Sequence, residues 1–515
     1  GDLGNEAMPP PRVRRSFSPS AEEILAFGLG FCSLGYEMYL LRVIPLRHEP
    51  LPFTFATVLT GFLLFWSVGA ALSSLRRHLS LSVSLRLCAP AAAATIPLMV
   101  IDTARPITDT VSLAAFVLTR FPYFVPCLFF GYLFGLVVRQ SARSQAELWN
   151  ESWGQDVGRV YFWNTCGSCL GILAMTFIGY ETPFYVMILV IALLLMAMHE
   201  YTAAGRQQRS AAMPRWSYPL LVAGLAVFLS LAVDLSRLGP GQRMYSGRDG
   251  VLILTDDSDL IWDGLWHSAL TKNGSHIGSN NWYLAVCPAL CHGTGAIKNV
   301  CVIGVATGIT ASTLAKLESV ANVDGYDITH VLKRIHRDYP EETLHLATNP
   351  KITLIWQDAR TGLALNPQKY DLIQTQPLYL RQAGSSLLNS IEFYQLVRAR
   401  LRPGGVFCLY SNGTTEQAFV IRQTAAQVFP HRESFFNGYL LILSNEPIKL
   451  SAEILERKLR RADPLMSEIR GFRETATGEA AMKLVDRPTL FGDVGSVIVT
   501  DDHPVVEYPQ YLTGK

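Results

Sequence analysis

The hydrophobic pattern of the chain changes character near residue 238. Before that point apolar residues run for about 20 positions at a time, the length that crosses the hydrocarbon core of a bilayer. Seven such segments are predicted, at 22 to 45, 51 to 75, 81 to 101, 113 to 138, 160 to 180, 184 to 199 and 218 to 236. Arg120 and Pro122 interrupt the fourth, which leaves 107 to 119 open to an alternative reading as an interfacial helix. After residue 241 the apolar runs shorten and alternate with polar ones. Those at 251 to 254 and 260 to 262, broken by Asp and Gly, predict a small leading β-sheet. Strands are then predicted at 299 to 305, 321 to 326, 352 to 356, 370 to 375, 406 to 410 and 439 to 443, with helices at 309 to 317, 330 to 339 and 390 to 401. Alternation of this kind builds a mostly parallel sheet with right-handed crossovers, which binds ligands at the carboxyl ends of its strands. The expected organisation is a tail at 1–21, a transmembrane domain at 22–238, a β-rich lead-in at 241–298, an α/β core at 299–446 and a C-terminal extension at 447–515.

Composition supports this division. Charged residues make up 17% of the 515, and the mean hydropathy of +0.22 is too apolar for an ordinary soluble protein and too polar for a wholly embedded one. Every lysine lies at or beyond Lys272, so the first half is written for lipid. A net charge of +2 with no basic stripe argues against a nucleic-acid partner. Arginines set the expected orientation, because positive loops stay in the cytoplasm. Arg12, Arg14, Arg15, Arg76, Arg77, Arg139, Arg143, Arg159, Arg206, Arg209 and Arg215 flank one end of the spans, against Arg47, Arg105 and Arg120 at the other. The N-terminus is therefore expected in the cytoplasm, and seven crossings place the α/β half outside it. The first apolar run is too long for a cleavable signal peptide and is expected to remain as a span, while the initial Gly in place of Met suggests a processed or truncated start.

Within the spans, Gly131 to Gly135 and Gly167 to Gly171 have the small-xxx-small spacing that lets helix backbones approach closely. Glu37 is the one carboxylate well inside a span, a costly placement that makes it either a tether to another helix or part of an ion path. Arg42, five residues on, lies too far round the helix to pair with it. Nine cysteines are too scattered for a disulfide scaffold. Cys32, Cys88, Cys127, Cys166 and Cys169 are expected as small buried residues, Cys287 and Cys291 as packing within one helix, and Cys301 and Cys408 as buried strand residues.

The first core strand runs into the loop from Gly304 to Thr310, where Gly304 and Gly308 permit a tight strand-to-helix turn and close approach of a ligand. Asp327 ends the second strand, and Asp358-Ala359-Arg360 follows the third. A turn glycine followed by two such acids is the order used by domains that bind adenosyl cofactors. The candidate cofactor contacts are Gly304, Thr307, Gly308, Asp327, Asp358 and Ala359. His267, His276, His292 and His503 lack metal-ligand spacing, so no metal is assigned.

Asp263-Gly264, Cys287-Pro288-Ala289-Leu290, the Gly304 to Thr310 loop, Asp358-Ala359-Arg360, Tyr370-Asp371-Leu372-Ile373 and Leu401-Arg402-Pro403-Gly404-Gly405-Val406 resemble, in order and spacing, the spermidine synthase (aminopropyltransferase) family. The terminal Thr500-Asp501-Asp502-His503-Pro504-Val505-Val506-Glu507-Tyr508, with Gly35-Tyr36-Glu37 and Gly158-Arg159-Val160-Tyr161, is similar to a bacterial group in which that domain is fused to membrane helices. The resemblance implies an α-helical membrane domain followed by a Rossmann-like α/β domain of the methyltransferase and spermidine synthase type, in the bacterial inner membrane. It also implies S-adenosylmethionine, its decarboxylated form or methylthioadenosine as ligand, and is compatible with a homo-oligomer.

The chemistry it implies is not matched at every position. Aminopropyl transfer needs carboxylates to hold a polyammonium substrate and to accept a proton from the attacking nitrogen. The family's two aspartates after the fourth core strand fall on Gln376 and Tyr379, so no catalytic residue is assigned. Its substrate-contacting Tyr-His pair falls on Asn281-Trp282, the acid of its glycine loop on Thr307 and its ribose-binding glutamate on Gly325, leaving Asp324 or Asp327 as substitutes. Asp358 reads equally as a helix cap, and Asp501-Asp502 as a turn. The leading expectation is a membrane-anchored accessory subunit with a degenerate site, working with the bilayer and other membrane subunits. The alternatives are an active adenosyl-type transferase on a non-polyamine acceptor, and a transporter, resting on Glu37, with a regulatory domain.

Overall fold

The computed structural model describes residues 19–44, 52–75, 79–96, 98, 113–146, 153–179, 184–205, 242–247, 249–263, 265–270, 279–293, 296–376, 380, 384–411, 413–435, 438–454, 456–458 and 497–507. The first half is an up-and-down bundle of six described helices: α1 (Ala21–Val43), α2 (Pro52–Leu72), α3 (Leu81–Ala93), α4 (Leu113–Ala146), α5 (Trp153–Ala174, continued by a π-turn Met175–Gly179) and α6 (Phe184–Gly205). Four are long and apolar enough to cross a membrane, over Ala21–Val43, Thr54–Leu72, Phe121–Ala142 and Val157–Ile178. This corrects the expectation of seven spans. The third segment is a 13-residue helix with Pro90 inside it, about 20 Å at 1.5 Å per residue and short of the roughly 30 Å core. The sixth is the helix Phe184–Gly205, of which Val186–Thr202 counts only as a shorter apolar stretch. The seventh, 218 to 236, lies outside the described residues. The fourth is one helix from Leu113, carrying Pro122 and Pro126 within it.

Side-chain contacts fix the helix directions. Gly167 and Gly171 of α5 meet Phe27 and Phe31 of α1 in the same order, so α5 runs parallel to α1. Tyr36 Oη donates to the Tyr123 carbonyl at 2.7 Å while Gln140 donates to Glu22 at 3.2 Å, so α4 runs the other way. The same holds for α6, where Cys32 faces the Ile191 carbonyl and Gly28 faces Met198. At the start of α1, Ser20 and Glu23 form a reciprocal capping box. Glu23, 5% exposed, also accepts both Nε and Nη2 of Arg159 at 2.7 and 3.1 Å.

Close glycine contacts hold the pairs. A Cβ on Gly167 would run into the Phe27 carbonyl and one on Gly30 into the Asn164 carbonyl, and Gly131 and Gly69 stand in the same relation to Trp66 and Leu128. Each pair, α1 with α5 and α2 with α4, is therefore in contact backbone to backbone. Glu37 is buried among these helices at 8% exposure. Cys32, Cys88 and Cys127 are buried as expected, but Cys166 is half-buried and Cys169 exposed, because the side of α5 away from its glycines faces outward.

The second half opens with an antiparallel sheet of β1 (Arg243–Gly247), β2 (Gly250–Leu254), β3 (Asp259–Trp262) and β4 (Leu265–Ala269). After α7 (Ser279–Cys291) comes the main sheet: β5 (Asn299–Ile303), β6 (Asn322–Tyr326), β7 (Ile352–Ile355), β8 (Tyr370–Thr375), β9 (Leu401–Tyr410), β10 (His431–Phe435) and β11 (Leu440–Ser444). Their order is β10-β11-β9-β8-β5-β6-β7, parallel from β9 to β7, with β10 and β11 antiparallel. Helices α8 (Ile309–Ala315), α9 (Leu332–Asp338), α10 (Ala359–Leu365), α11 (Ile391–Arg400) and α12 (Thr415–Val428) complete the layers. Apolar strand residues fill both faces, with Val300, Val302, Leu372 and Cys408 on one and Ile303, Tyr370, Phe407 and Leu409 on the other. The strand order reverses between β5 and β8, the switch point at which such sheets take ligands.

Candidate functional site

The loop after β5 is bent by Gly304 (φ +80°) and Gly308 (φ +83°), with Ala306 between them also left-handed at φ +50°. A Cβ on Gly304 would sit 2.8 Å from the Gln376 carbonyl, and one on Gly308 would strike Leu346. Both glycines are therefore required by space as well as by φ.

The strand-end acids hold this loop. Asp327 Oδ2 accepts from the Ala306 N–H at 2.9 Å and Oδ1 from the Thr329 N–H at 2.8 Å. Thr307, 1% exposed, shares a hydrogen bond with the Ser268 hydroxyl of β4 at 3.0 Å. Asp358 caps α10, accepting from the Thr361 N–H at 2.7 Å, and Ala359 is buried behind it. The structure thus brings Gly304, Thr307, Gly308 and Asp327 together, with Asp358 and Ala359 at the end of β7. The polar side chains among them are already engaged internally. Asp324 faces away from the strand ends and accepts from Tyr370 Oη at 2.8 Å and from Asn322 at 2.9 Å.

Two histidines complete the surroundings of the loop. His336 of α9, 2% exposed, donates from Nε2 to the Ala306 carbonyl at 2.8 Å and packs at a tilt against Trp356, with ring centroids 5.8 Å apart. Burial pushes its pKa down, against the Ala306 carbonyl and Asp327, which raise it. His267 of β4 packs edge-on against Trp262 at 5.8 Å, and its pKa is also lowered by burial and raised by Asp327. Sequence spacing does not find this pair, because it comes from different elements and converges only in the fold.

Gln374 and Thr375, at the end of β8, are fully buried, and neither Gln374 amide atom nor Thr375 Oγ1 finds a hydrogen-bond partner among the described residues. Gln376 follows them, with its N–H on the Ile303 carbonyl at 3.0 Å. Tyr379 lies outside the described residues.

The C-terminal motif closes over the loop that follows β8. Asp501 accepts a forked pair from Arg360 and a 2.7 Å bond from Ser390. Glu507, 8% exposed, accepts the N–H groups of Gly384 and Ser386 at 3.0 Å each, as well as the Ser386 hydroxyl.

Residues 282–438, which include the glycine loop, the strand-end acids and the β8 end, match the spermine/spermidine synthase domain family. These residues form a spermidine synthase-like domain. The polyamine aminopropyltransferase of Aeropyrum pernix is 28% identical over 147 residues, which are 27% of this chain and 47% of that protein. That of Clostridium perfringens is 31% identical over 126 residues, 24% of this chain and 37% of that protein. The chain thus spans about half or less of the length of these relatives. The crystal structure of spermidine synthase from Thermotoga maritima superposes with a TM-score of 0.36 at 17% identity, covering 49% of this chain and 84% of that one.

An adenosyl sulfonium of the kind implied by the family does not fit the groups present. The position that the resemblance assigns to a ribose-binding carboxylate is Gly325, where even a Cβ would lie 2.8 Å from Val305 Cγ2. Asp324 and Asp327, the two acids nearest in sequence, are committed to Tyr370 and to the loop amides.

Where the small sheet meets α1, Asp263 (φ +46°) takes the Val251 N–H at 2.8 Å. Burial pushes its carboxyl up to about 7, opposed by that N–H and by Arg42. The folded value lies above the unfolded carboxylate range, so this group's contribution to stability is fully present below about pH 4 and falls as pH rises toward 7. Thermal midpoints are expected to be higher at pH 5.5 than at pH 8, and Asp263→Asn is expected to flatten that slope. An unchanged slope in the variant would reject the assignment.

Proposed function

We propose that this is a membrane-anchored spermidine synthase-like protein whose α/β domain no longer carries out polyamine chemistry and acts as a binding or scaffolding part of a membrane assembly. The observation that carries this reading is the fate of the carboxylates. Gln376 stands where the family places an acid, and Asp327 and Asp358 are spent on the glycine loop and a helix cap. A missing general base costs about 10²- to 10⁴-fold in rate before any loss of attraction for a polyammonium substrate is counted.

In this reading the domain sits outside the cytoplasm of a bacterial inner membrane. The end of α1 near Glu23 and Arg159 belongs to the arginine-rich set, and the domain meets α1 at the other end, where Arg42 donates to the Gly247 carbonyl at 3.0 Å.

Calorimetry on the full chain in detergent, with S-adenosylmethionine, its decarboxylated form and methylthioadenosine, tests the proposal. The expected result is no micromolar binding and no transfer to putrescine. Micromolar binding with turnover of any amine would overturn it. The buried, unpartnered amide of Gln374 favours a second reading, a transferase acting on an uncharged acceptor, and turnover of a neutral acceptor in the same assay would establish that instead.

A further inference from the structure

We propose that Arg42, at the end of the first membrane helix, is a positioning residue for the glycine loop of the α/β domain, acting through the β1–β2 turn and α9. Arg42 is 9% exposed, and its Nη2 donates to the carbonyl of Gly247, the last residue of β1. A Cβ on Gly247 would lie in ordinary van der Waals contact with Val331, 3.4 Å from its Cβ. Two residues on in the same turn, Asp249 Oδ2 accepts the His330 N–H at 2.7 Å and pairs with His330 Nδ1 at 3.0 Å. His330 and Val331 lead directly into α9, a helix of only seven residues. At its other end His336 donates to the Ala306 carbonyl at 2.8 Å, in the centre of the glycine loop.

The links are short and polar, and the elements between them are stiff. The helix is clamped on Trp356 from both ends, with His330 and His336 at ring distances of 6.2 and 5.8 Å and the Lys333 ammonium 5.2 Å over the indole. It therefore moves as a unit rather than absorbing a shift. The loop it holds is bent at three alternate left-handed positions, Gly304, Ala306 and Gly308, which leaves its geometry dependent on outside support. A displacement of α1 in the membrane reaches the Ala306 carbonyl through this chain, so the state of the membrane domain sets the shape of the loop.

Its test needs no ligand and can fail or succeed independently of the reading above. Hydrogen–deuterium exchange is measured on the full chain in detergent. In Arg42→Ala, the peptides containing the Ala306 and Gly308 amides are expected to exchange about tenfold faster, along with the β1–β2 hairpin, while the β9–β11 amides keep their rates. Arg42→Lys, which can still donate to the Gly247 carbonyl, restores most of the protection. Asp249→Ala, which leaves α1 untouched, accelerates the loop in the same way. In a His336→Phe background the last link is gone, and Arg42→Ala adds nothing further at the loop, the non-additivity expected of residues in one chain of contacts. Acceleration confined to the hairpin, a loop unmoved by Asp249→Ala, or a uniform rise across the domain would each overturn the proposal. If Arg42→Ala does not fold, Asp249→Ala and its combination with His336→Phe decide the matter.

Discussion

Glu507→Ala is expected to lower the thermal midpoint of the α/β domain by roughly 10 °C, from a stability loss of about 3–5 kcal/mol. The carboxylate is 8% exposed and accepts three donors, the N–H groups of Gly384 and Ser386 and the Ser386 hydroxyl. Truncation leaves the Ser386 N–H and hydroxyl buried without this acceptor, and each costs about 1–3 kcal/mol when stranded. The same stretch is fastened at two other points, the Arg360–Asp501 pair and the bond from the Ile391 N–H to the Val499 carbonyl at 2.9 Å. Loss of Glu507 therefore frees the end of the clasp and the 385–388 turn while the Arg360 end stays attached. Arg360→Ala is expected to cost less, since its pair is partly exposed, at 25% and 34% for the two side chains, and screened by water. A Glu507→Ala midpoint within about 1 °C of the parent would refute this account, as would an Arg360→Ala loss larger than that of Glu507→Ala.

The second large effect is expected in the helical half. A methyl group on Gly167 has no space, because it would meet the backbone carbonyl of Phe27 rather than a side chain that can turn aside. The helices must separate to admit it, which costs at least the 1–3 kcal/mol typical of overpacking and also loosens the reciprocal contact at Gly30. Gly158→Ala, nine positions earlier in the same helix, has nothing within 4 Å of the added Cβ. It is expected to be neutral or stabilising by up to about 1 kcal/mol through helix propensity. Size-exclusion profiles and thermal melts in detergent distinguish the two. Equal behaviour would mean that α1 and α5 are not packed as described.

The pattern of the site explains how far it can be read from the chain. Gly304 and Gly308 announce themselves, since a strand running into a glycine-bearing turn has few other uses. Asp327 and Asp358 are equally visible, but their roles are not. Whether a strand-end aspartate faces a ligand or its own loop depends on where the neighbouring amides point, and here Ala306, Thr329 and Thr361 take those oxygens. His267 and His336 carry no sequence signal because 69 positions of chain separate them, and only the packing of β4 and α9 around the glycine loop brings both beside Asp327.

The sequence by itself determined the division into an apolar helical half and an α/β half, the alternation that makes the main sheet parallel, and the glycine spacings that let helices touch. These follow from local periodicity and from steric limits at single residues. The tertiary structure decided which helices are long enough to span and which acids remain free. It also decided that Arg42, too far round its helix to pair with Glu37, instead reaches the carbonyl of Gly247, 205 residues away. Those outcomes depend on contacts between distant parts of the chain, where a buried donor or carboxylate takes whichever partner the fold brings within about 3 Å, a choice that local pattern does not encode.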